Sequence, residues 1–84
     1  MTIRELKERI RSWHSDEMDF CIEDVFSWRG SYDEPCCALS NRTTTKEDNL
    51  EQLERLTKFS FYGWKGGYFK YTEDMMLHFE SDYG

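Results

Sequence analysis

Twice along the chain, apolar residues at helical spacing are followed by a stretch in which apolar and polar residues alternate. Each alternating stretch ends in a turn of the form Trp-cation-Gly-x-Tyr. The first turn is W-R-G-S-Y at positions 28–32, and the second is W-K-G-G-Y at positions 64–68. Apolar residues at a spacing near 3.6 indicate an amphipathic helix, and alternation indicates a half-buried strand. A chain of 84 residues is long enough for one domain, so we expect residues 1–84 to form a single domain.

Two capping motifs mark the helices. Thr2 followed by Glu5 matches a capping box and predicts a first helix over about residues 2–13. Thr44, with an acidic residue three positions later, matches the same motif and predicts a second helix over about residues 46–57.

The stretches between and after the helices read as strands and turns. The segment 28–35 is expected to be a loop, because Gly30 permits positive φ and Pro35 fixes the exit. The order of elements predicts an α+β fold, a small and mainly antiparallel sheet with two helices packed on one face. The predicted strands cover about residues 19–27, 36–40, 59–61, 68–71 and 75–80.

The charge of the chain excludes several function classes. The formal net charge is -6 and the sequence pI is about 4.8. Sequence-independent binding to nucleic acid needs a basic surface, and so does binding to anionic membranes. No apolar run approaches the roughly 18 residues of a transmembrane helix. We therefore expect a cytoplasmic protein that binds neither nucleic acid nor membranes directly.

The cysteines support the same compartment. The three cysteines, Cys21, Cys36 and Cys37, are odd in number and lack the spacing of a disulfide framework, which is typical of a reduced protein. No C-x-x-C pair or Cys/His ligand set is present, so we expect no metal.

The two Trp-cation-Gly-x-Tyr turns hold the residue types that an anionic ligand needs. Glycine-rich turns expose backbone N–H groups to an anion, cationic side chains add charge, and aromatic rings stack on a planar base. Surface hairpins that pack their own rings on cations, and protein-binding surfaces, use the same residues, so these interpretations stay open. If the turns converge, they predict a ligand site made of Trp28, Arg29, Gly30, Ser31, Tyr32, Trp64, Lys65, Gly66, Gly67 and Tyr68.

The carboxylates allow a different interpretation. Acidic residues at positions 16, 17, 19, 23, 24, 33, 34, 47, 48, 51 and 54 could form a surface that mimics the phosphates of nucleic acid. Ordinary solubility charge is the simpler explanation, because cations are interspersed.

Catalysis has little support in the sequence. His14 and His78 lack flanking motifs, and Cys36 is a better candidate for a buried structural cysteine than for a nucleophile with His78 as its base. We therefore expect a non-enzymatic protein without a cofactor.

The two motifs together resemble a group of small proteins encoded by tailed bacteriophages. That group carries aromatic-Arg-Gly-x-Tyr followed by a small and an aliphatic residue, here positions 28–32 with Ala38 and Leu39. It also carries Gly-aromatic-Lys-Gly-Gly-aromatic, here positions 63–68. This chain departs from the group by having Trp at the aromatic position that precedes each cation, where Tyr is usual.

The resemblance implies a phage protein that acts inside a host bacterial cell, and small acidic phage proteins often counteract host defences. We expect it to bind and sequester an anionic, nucleotide-like ligand through the two turns. A homodimer is expected, because a domain this small encloses a ligand poorly alone. The alternative is an acidic inhibitor of anti-CRISPR or anti-restriction type, which docks on a basic groove of a host nuclease or effector. The expected partner is thus a nucleotide-like small molecule or a host defence protein.

Overall fold

A computed structural model of the chain describes residues 1–29 and 33–80, with the side chain of Arg29 left out. Within these residues the chain forms two helices and seven strands: α1 (Ile3–Arg11), β1 (Glu17–Met18), β2 (Cys21–Arg29), β3 (Asp33–Ser40), β4 (Thr44–Thr45), α2 (Lys46–Lys58), β5 (Phe61–Tyr62), β6 (Tyr68–Phe69) and β7 (His78–Glu80).

The described strands form three small sheets. β2 and β3 make the longest hairpin, antiparallel from Cys21 opposite Ser40 to Arg29 opposite Asp33. β7 joins the other edge of β3 in the parallel direction, and β1–β4 and β5–β6 are short antiparallel pairs. The predicted α+β class with mostly antiparallel strands is confirmed, although the strands are divided among several sheets.

The two helices begin as capped, amphipathic elements. Thr2 Oγ1 accepts a hydrogen bond from the Glu5 backbone N–H at 3.1 Å, and the Glu5 carboxylate accepts one from Thr2 N–H at 2.8 Å. This is the predicted capping box. The second cap differs from the prediction: Thr45, not Thr44, is the N-cap of α2 and accepts from the backbone N–H of Asp48. Thr44 lies in β4 instead.

Both helices contribute to one core on the same side of the β2–β3 hairpin. Ile22, Val25 and Cys37 supply the sheet side of this core. Burial of these apolar side chains is the main favourable term in folding. The helical side chains buried in the core are Ile3, Leu6, Ile10, Leu53 and Leu56.

A buried amide joins α2 to the edge of β2. Asn49 is fully buried, and its Oδ1 accepts a hydrogen bond from the Ile22 N–H at 2.8 Å. Its Nδ2 donates to the Phe20 carbonyl at 3.1 Å. The side chain therefore satisfies backbone groups that a neighbouring strand would otherwise satisfy.

The loop predicted at 28–35 is shorter than expected, because β2 and β3 both extend into it. Pro35 lies within β3, opposite Ser27. β7 pairs with β3 only from Cys36 onward, so Pro35 lies where β3 has a single neighbour. A missing backbone N–H is tolerated at such a position.

The C-terminal strand is also shorter than predicted. Met76 pairs with Thr2 in an isolated bridge, and the Leu77 N–H donates to the Met1 carbonyl at 2.9 Å. The chain therefore bonds to the N-terminal residues before it joins β3 as β7. No helix in the described ranges is long and apolar enough to cross a membrane.

Candidate functional site

The described residues of the two Trp-cation-Gly-x-Tyr motifs belong to two hairpins, β2–β3 and β5–β6. In the first, Trp28 and Arg29 end β2, and Arg29 is opposite Asp33, the first residue of β3. The predicted site residues Gly30, Ser31 and Tyr32, and the Arg29 side chain, lie outside the described residues.

The second turn connects β5 to β6 and is closed by its own backbone. The Gly63 N–H donates to the Gly67 carbonyl at 2.8 Å, and the Gly66 N–H donates to the Gly63 carbonyl at 3.0 Å. Gly66 and Gly67 have φ of 90° and 86°, a region that L side chains rarely adopt. The two adjacent glycines of W-K-G-G-Y therefore have a conformational reason.

A single carboxylate connects the two hairpins. The backbone N–H of Trp64 lies 3.1 Å from both carboxylate oxygens of Asp33. A Cβ at Gly63 would lie 3.2 Å from Asp33 Oδ2, so the turn approaches the carboxylate closely. Asp33 with the turn 63–67 is called the hairpin junction below. The junction brings the second turn against Asp33, the residue that directly follows the first motif.

Below the junction, aromatic side chains attach the β5–β6 hairpin to the sheet. The Tyr71 ring centroid lies 5.4 Å from that of Phe61 and 4.8 Å from that of Phe69. The Tyr71 and Ser27 hydroxyl oxygens are 2.5 Å apart. Burial raises the pKa of Tyr71, so the phenol stays protonated at neutral pH. This contact places the second turn over the helix-facing side of β2.

Exposed rings and a cation surround the second turn. Trp64 is 43% exposed and Tyr68 is 76% exposed. The Tyr62 ring packs edge-on against Tyr68, with the centroids 5.3 Å apart. Lys65 Nζ lies 5.3 Å from the Trp64 ring centroid, within cation–π range. The turn thus presents large aromatic faces and one ammonium group to solvent.

Trp28 faces the opposite side of the sheet from this turn. Successive strand residues alternate between faces. The Ser27 hydroxyl contacts Tyr71 of the core, so Trp28 faces away from the helices. Its ring lines a depression with Glu34 and His78. The hairpin junction therefore does not include the Trp28 ring among its described contacts.

The cysteines and histidines have structural surroundings. All three cysteines are free and buried. Burial raises the pKa of Cys37 to about 12, and burial also raises that of Cys36. A protonated thiol is a poor nucleophile, which disfavours the Cys36 interpretation. His14 stacks on Trp13, and His78 Nε2 contacts the Glu34 carboxylate.

Four of the acidic residues line a depression of about 780 Å³ along α2, separate from the junction. Among the described lining residues, Lys46 is the one cation. Nearby, Arg42 contacts the Glu23 carboxylate through Nε at 2.7 Å and Nη2 at 3.1 Å. The acidic side chains of the depression are Asp16, Glu47, Glu51 and Glu54.

Sequence reasoning missed the residue that joins the two hairpins. The bond from the Trp64 N–H to Asp33 is a contact across 31 positions of the chain. The place of Asp33 directly after the first Trp-cation-Gly-x-Tyr turn was the available signal.

The fold and the junction define a small α+β protein with two joined hairpins. No protein-family model, curated protein or solved structure matches the chain. In the described ranges, no group of three or more His, Cys, Asp or Glu side chains has an arrangement that could hold a metal ion.

Proposed function

We propose that the protein binds an anionic, nucleotide-like small molecule at the hairpin junction and sequesters it. The observation that carries this proposal is the bond between Asp33 and the Trp64 N–H, which joins the two hairpins that bear the cationic motifs. Arg29 and Lys65 then lie on hairpins that meet. In this role the protein would be a non-enzymatic bacteriophage protein that removes a defence signal in the host cytoplasm.

The second turn supplies most of the proposed contacts. The Lys65 ammonium group would move away from the Trp64 ring to bind the anion. The exposed rings of Trp64 and Tyr68 would present the faces on which a base stacks. Gly66 and Gly67 have no side chain to keep a ligand from the backbone. Nothing within 4 Å would meet a Cβ at Gly67, so space is open there.

The first turn contributes the remaining proposed contacts. Arg29 would hold the anion bidentately, with Gly30, Ser31 and Tyr32 completing the site. Trp28 is left out of the proposed ligand site because its ring lines the opposite face. A second copy of the chain would enclose the ligand, since a single copy leaves the junction open to solvent.

A thermal-shift screen against nucleotides and cyclic dinucleotides tests the proposal. A ligand at about 100 times its Kd adds about 2.7 kcal/mol of stability, which is several degrees in Tm for a domain of this size. The Tm increase should be lost in Arg29→Ala and in Lys65→Ala. Lys58→Ala, an exposed lysine at the end of α2, is the matched control and should keep it.

Two results would reject the junction as a ligand site. One is no Tm increase with any of the compounds. The other is an increase that survives both Arg29→Ala and Lys65→Ala. Size-exclusion chromatography with light scattering, with and without the ligand, tests the expected homodimer separately.

A second candidate function rests on the carboxylates that line the depression along α2. In that case the protein would be an inhibitor whose acidic face occupies a basic groove of a host nuclease or effector. Charge reversal by Glu47→Lys and Glu51→Lys should then abolish inhibition, and binding should weaken strongly with salt. Sequestration predicts the opposite pattern. The charge reversals on α2 are then tolerated, and the cations Arg29 and Lys65 are essential.

A further inference from the structure

The sheet face opposite the helices carries a small depression that the proposed function does not use. Its volume is about 300 Å³. It lies at the edge where β7 pairs with β3, since Cys36 is opposite His78 there and Ala38 is opposite Glu80. The lining residues are Trp28, Glu34, Cys36, His78, Phe79 and Glu80.

Glu34 is the unusual residue of this depression. Its side chain is only 10% exposed, and one carboxylate oxygen, Oε2, contacts His78 Nε2. The other oxygen has no partner among the described residues. In the described part of the chain, every fully buried side-chain oxygen and nitrogen has a hydrogen-bond partner. An oxygen without a partner is therefore not fully buried, and this one is open to the depression. A nearly buried carboxylate thus keeps one acceptor oxygen without a partner among the described residues.

Two carboxylates, those of Glu34 and Glu80, line the depression. The pKa of Cys36 is raised first by burial and further by the charges of Glu80 and Glu34, which places both carboxylates near its thiol. No Lys or Arg lies among the described lining residues, and His78 is the only group there that can carry positive charge. A cation entering the depression would therefore be attracted rather than repelled.

The aromatic wall narrows the class of cation. Trp28 is 45% exposed, and it lies opposite Glu34 across the β2–β3 hairpin. A guanidinium group is planar, stacks on indole and donates paired hydrogen bonds to a carboxylate, whereas an ammonium group is compact and strongly hydrated. The Cys36 thiol offers an apolar surface to a hydrocarbon stem.

We propose that this depression binds an alkylguanidinium group, which stacks on Trp28 and donates to the free oxygen of Glu34. The group is the one that an arginine side chain or a small guanidine compound carries. This site is distinct from the hairpin junction and does not depend on the function proposed there.

Titration followed by NMR of the indole N–H signals tests this proposal. The probes are N-acetyl-arginine amide and its uncharged isostere N-acetyl-citrulline amide, with the signal of Trp28 assigned through Trp28→Phe. The arginine probe should move the Trp28 signal saturably with a millimolar Kd, and the citrulline probe should not. Agmatine and a blocked Gly-Arg-Gly peptide then show whether a free guanidine or a peptide-borne arginine binds more tightly.

Variants locate the interaction. Glu80→Gln should weaken binding of the arginine probe by about tenfold, the equivalent of about 1.4 kcal/mol. Glu80 is exposed and has no described side-chain partner, so the fold should be unaffected. Glu54→Gln on α2 is the matched control and should leave the Kd unchanged. Glu34→Gln should abolish the shift, with the dispersion of the NMR spectrum reporting whether that variant is folded.

Three results would overturn the proposal. They are the absence of a saturable Trp28 shift, equal shifts with arginine and citrulline probes, and an unchanged Kd in folded Glu80→Gln.

Discussion

The two ends of the β2–β3 hairpin are held in place by different interactions. At the helix-packed end, Ile22, Val25 and Cys37 are buried against side chains of both helices, and the Asn49 amide satisfies the edge of β2. At the other end, one carboxylate, Asp33, holds the β5–β6 turn through a backbone N–H that is exposed to solvent.

This difference separates the stability of the core from that of the junction. The helix-packed end combines buried apolar area with satisfied polar groups, so changes there act on the whole cooperative unit. The hairpin junction exposes aromatic rings that contribute little to the core, such as those of Trp64 and Tyr68. Regions with few buried contacts open locally at low cost in free energy. Substitutions at the two ends should therefore separate global unfolding from local loosening.

The largest effect is expected at Asn49. Asn49→Leu fills the same space but leaves the Ile22 N–H and the Phe20 carbonyl without their partner. Each unsatisfied buried group costs about 1–3 kcal/mol, so the free energy of unfolding should fall by about 3 kcal/mol. Urea unfolding followed by circular dichroism measures this loss.

Asn41→Leu is the control for that substitution, because Asn41 is exposed and outside the helices and strands. It should change the free energy of unfolding by less than about 0.5 kcal/mol. Equal effects of the two substitutions would show that the buried amide does not stabilise the helix-packed end.

A smaller effect is expected from the ion pair that ties α1 to the segment after β6. Lys7 is nearly buried, and its Nζ lies 2.6 Å from Glu73 Oε2. Glu73→Gln removes the charge that this ammonium group faces. A fully buried pair would lose 3–5 kcal/mol on such a change. The Glu73 side chain is 35% exposed, so we expect about 2 kcal/mol at pH 7.

The pH dependence gives this prediction its sign. The hydrogen bond from Lys7, followed by the Lys7 charge, lowers the pKa of Glu73 in the folded protein. A carboxylate whose folded pKa is depressed stabilises the fold above its unfolded value of about 4.3, and this stability is lost as pH falls through the folded pKa. The difference between the parent protein and Glu73→Gln should therefore shrink between pH 7 and pH 3. A difference that stays constant or grows on acidification would contradict the assignment.

Local patterns in the sequence were sufficient for the two helices but not for all strand ends or for long-range contacts. The capping box at Thr2 and the apolar spacing of α1 predicted a helix that the structure contains. Both signals depend only on residues that are close together in the sequence. The parallel pairing of β7 with β3 was not predictable, since nothing in the three residues of β7 specifies a partner about 40 positions earlier.

The candidate site shows the same limit. The two Trp-cation-Gly-x-Tyr motifs were visible in the sequence, but the contact between the two hairpins depends on the Asp33 carboxylate reaching a backbone N–H. From the sequence alone, an acidic residue beside a turn does not reveal which distant backbone group it contacts. The alternation that turns Trp28 to the opposite face was hidden as well, because the segment 28–35 was expected to be a loop rather than the end of two strands.

The smallest effect on stability, and the sharpest test of the comparison, is expected at Asp33. Asp33→Ala removes the acceptor of the Trp64 N–H, which costs about 1 kcal/mol of unfolding free energy because that N–H can bond to water instead. Hydrogen exchange of the Trp64 amide should accelerate by at least tenfold, while exchange of the Ile22 amide should follow only the small global change. Asp33→Asn keeps one acceptor oxygen and should show an intermediate exchange rate, and Asp19→Ala, an exposed carboxylate without a described partner, should leave both amides unchanged. If Trp64 exchange is unaltered in Asp33→Ala, the carboxylate does not join the hairpins. If Ile22 accelerates as much as Trp64, the junction belongs to the cooperative core and the separation between the two ends fails.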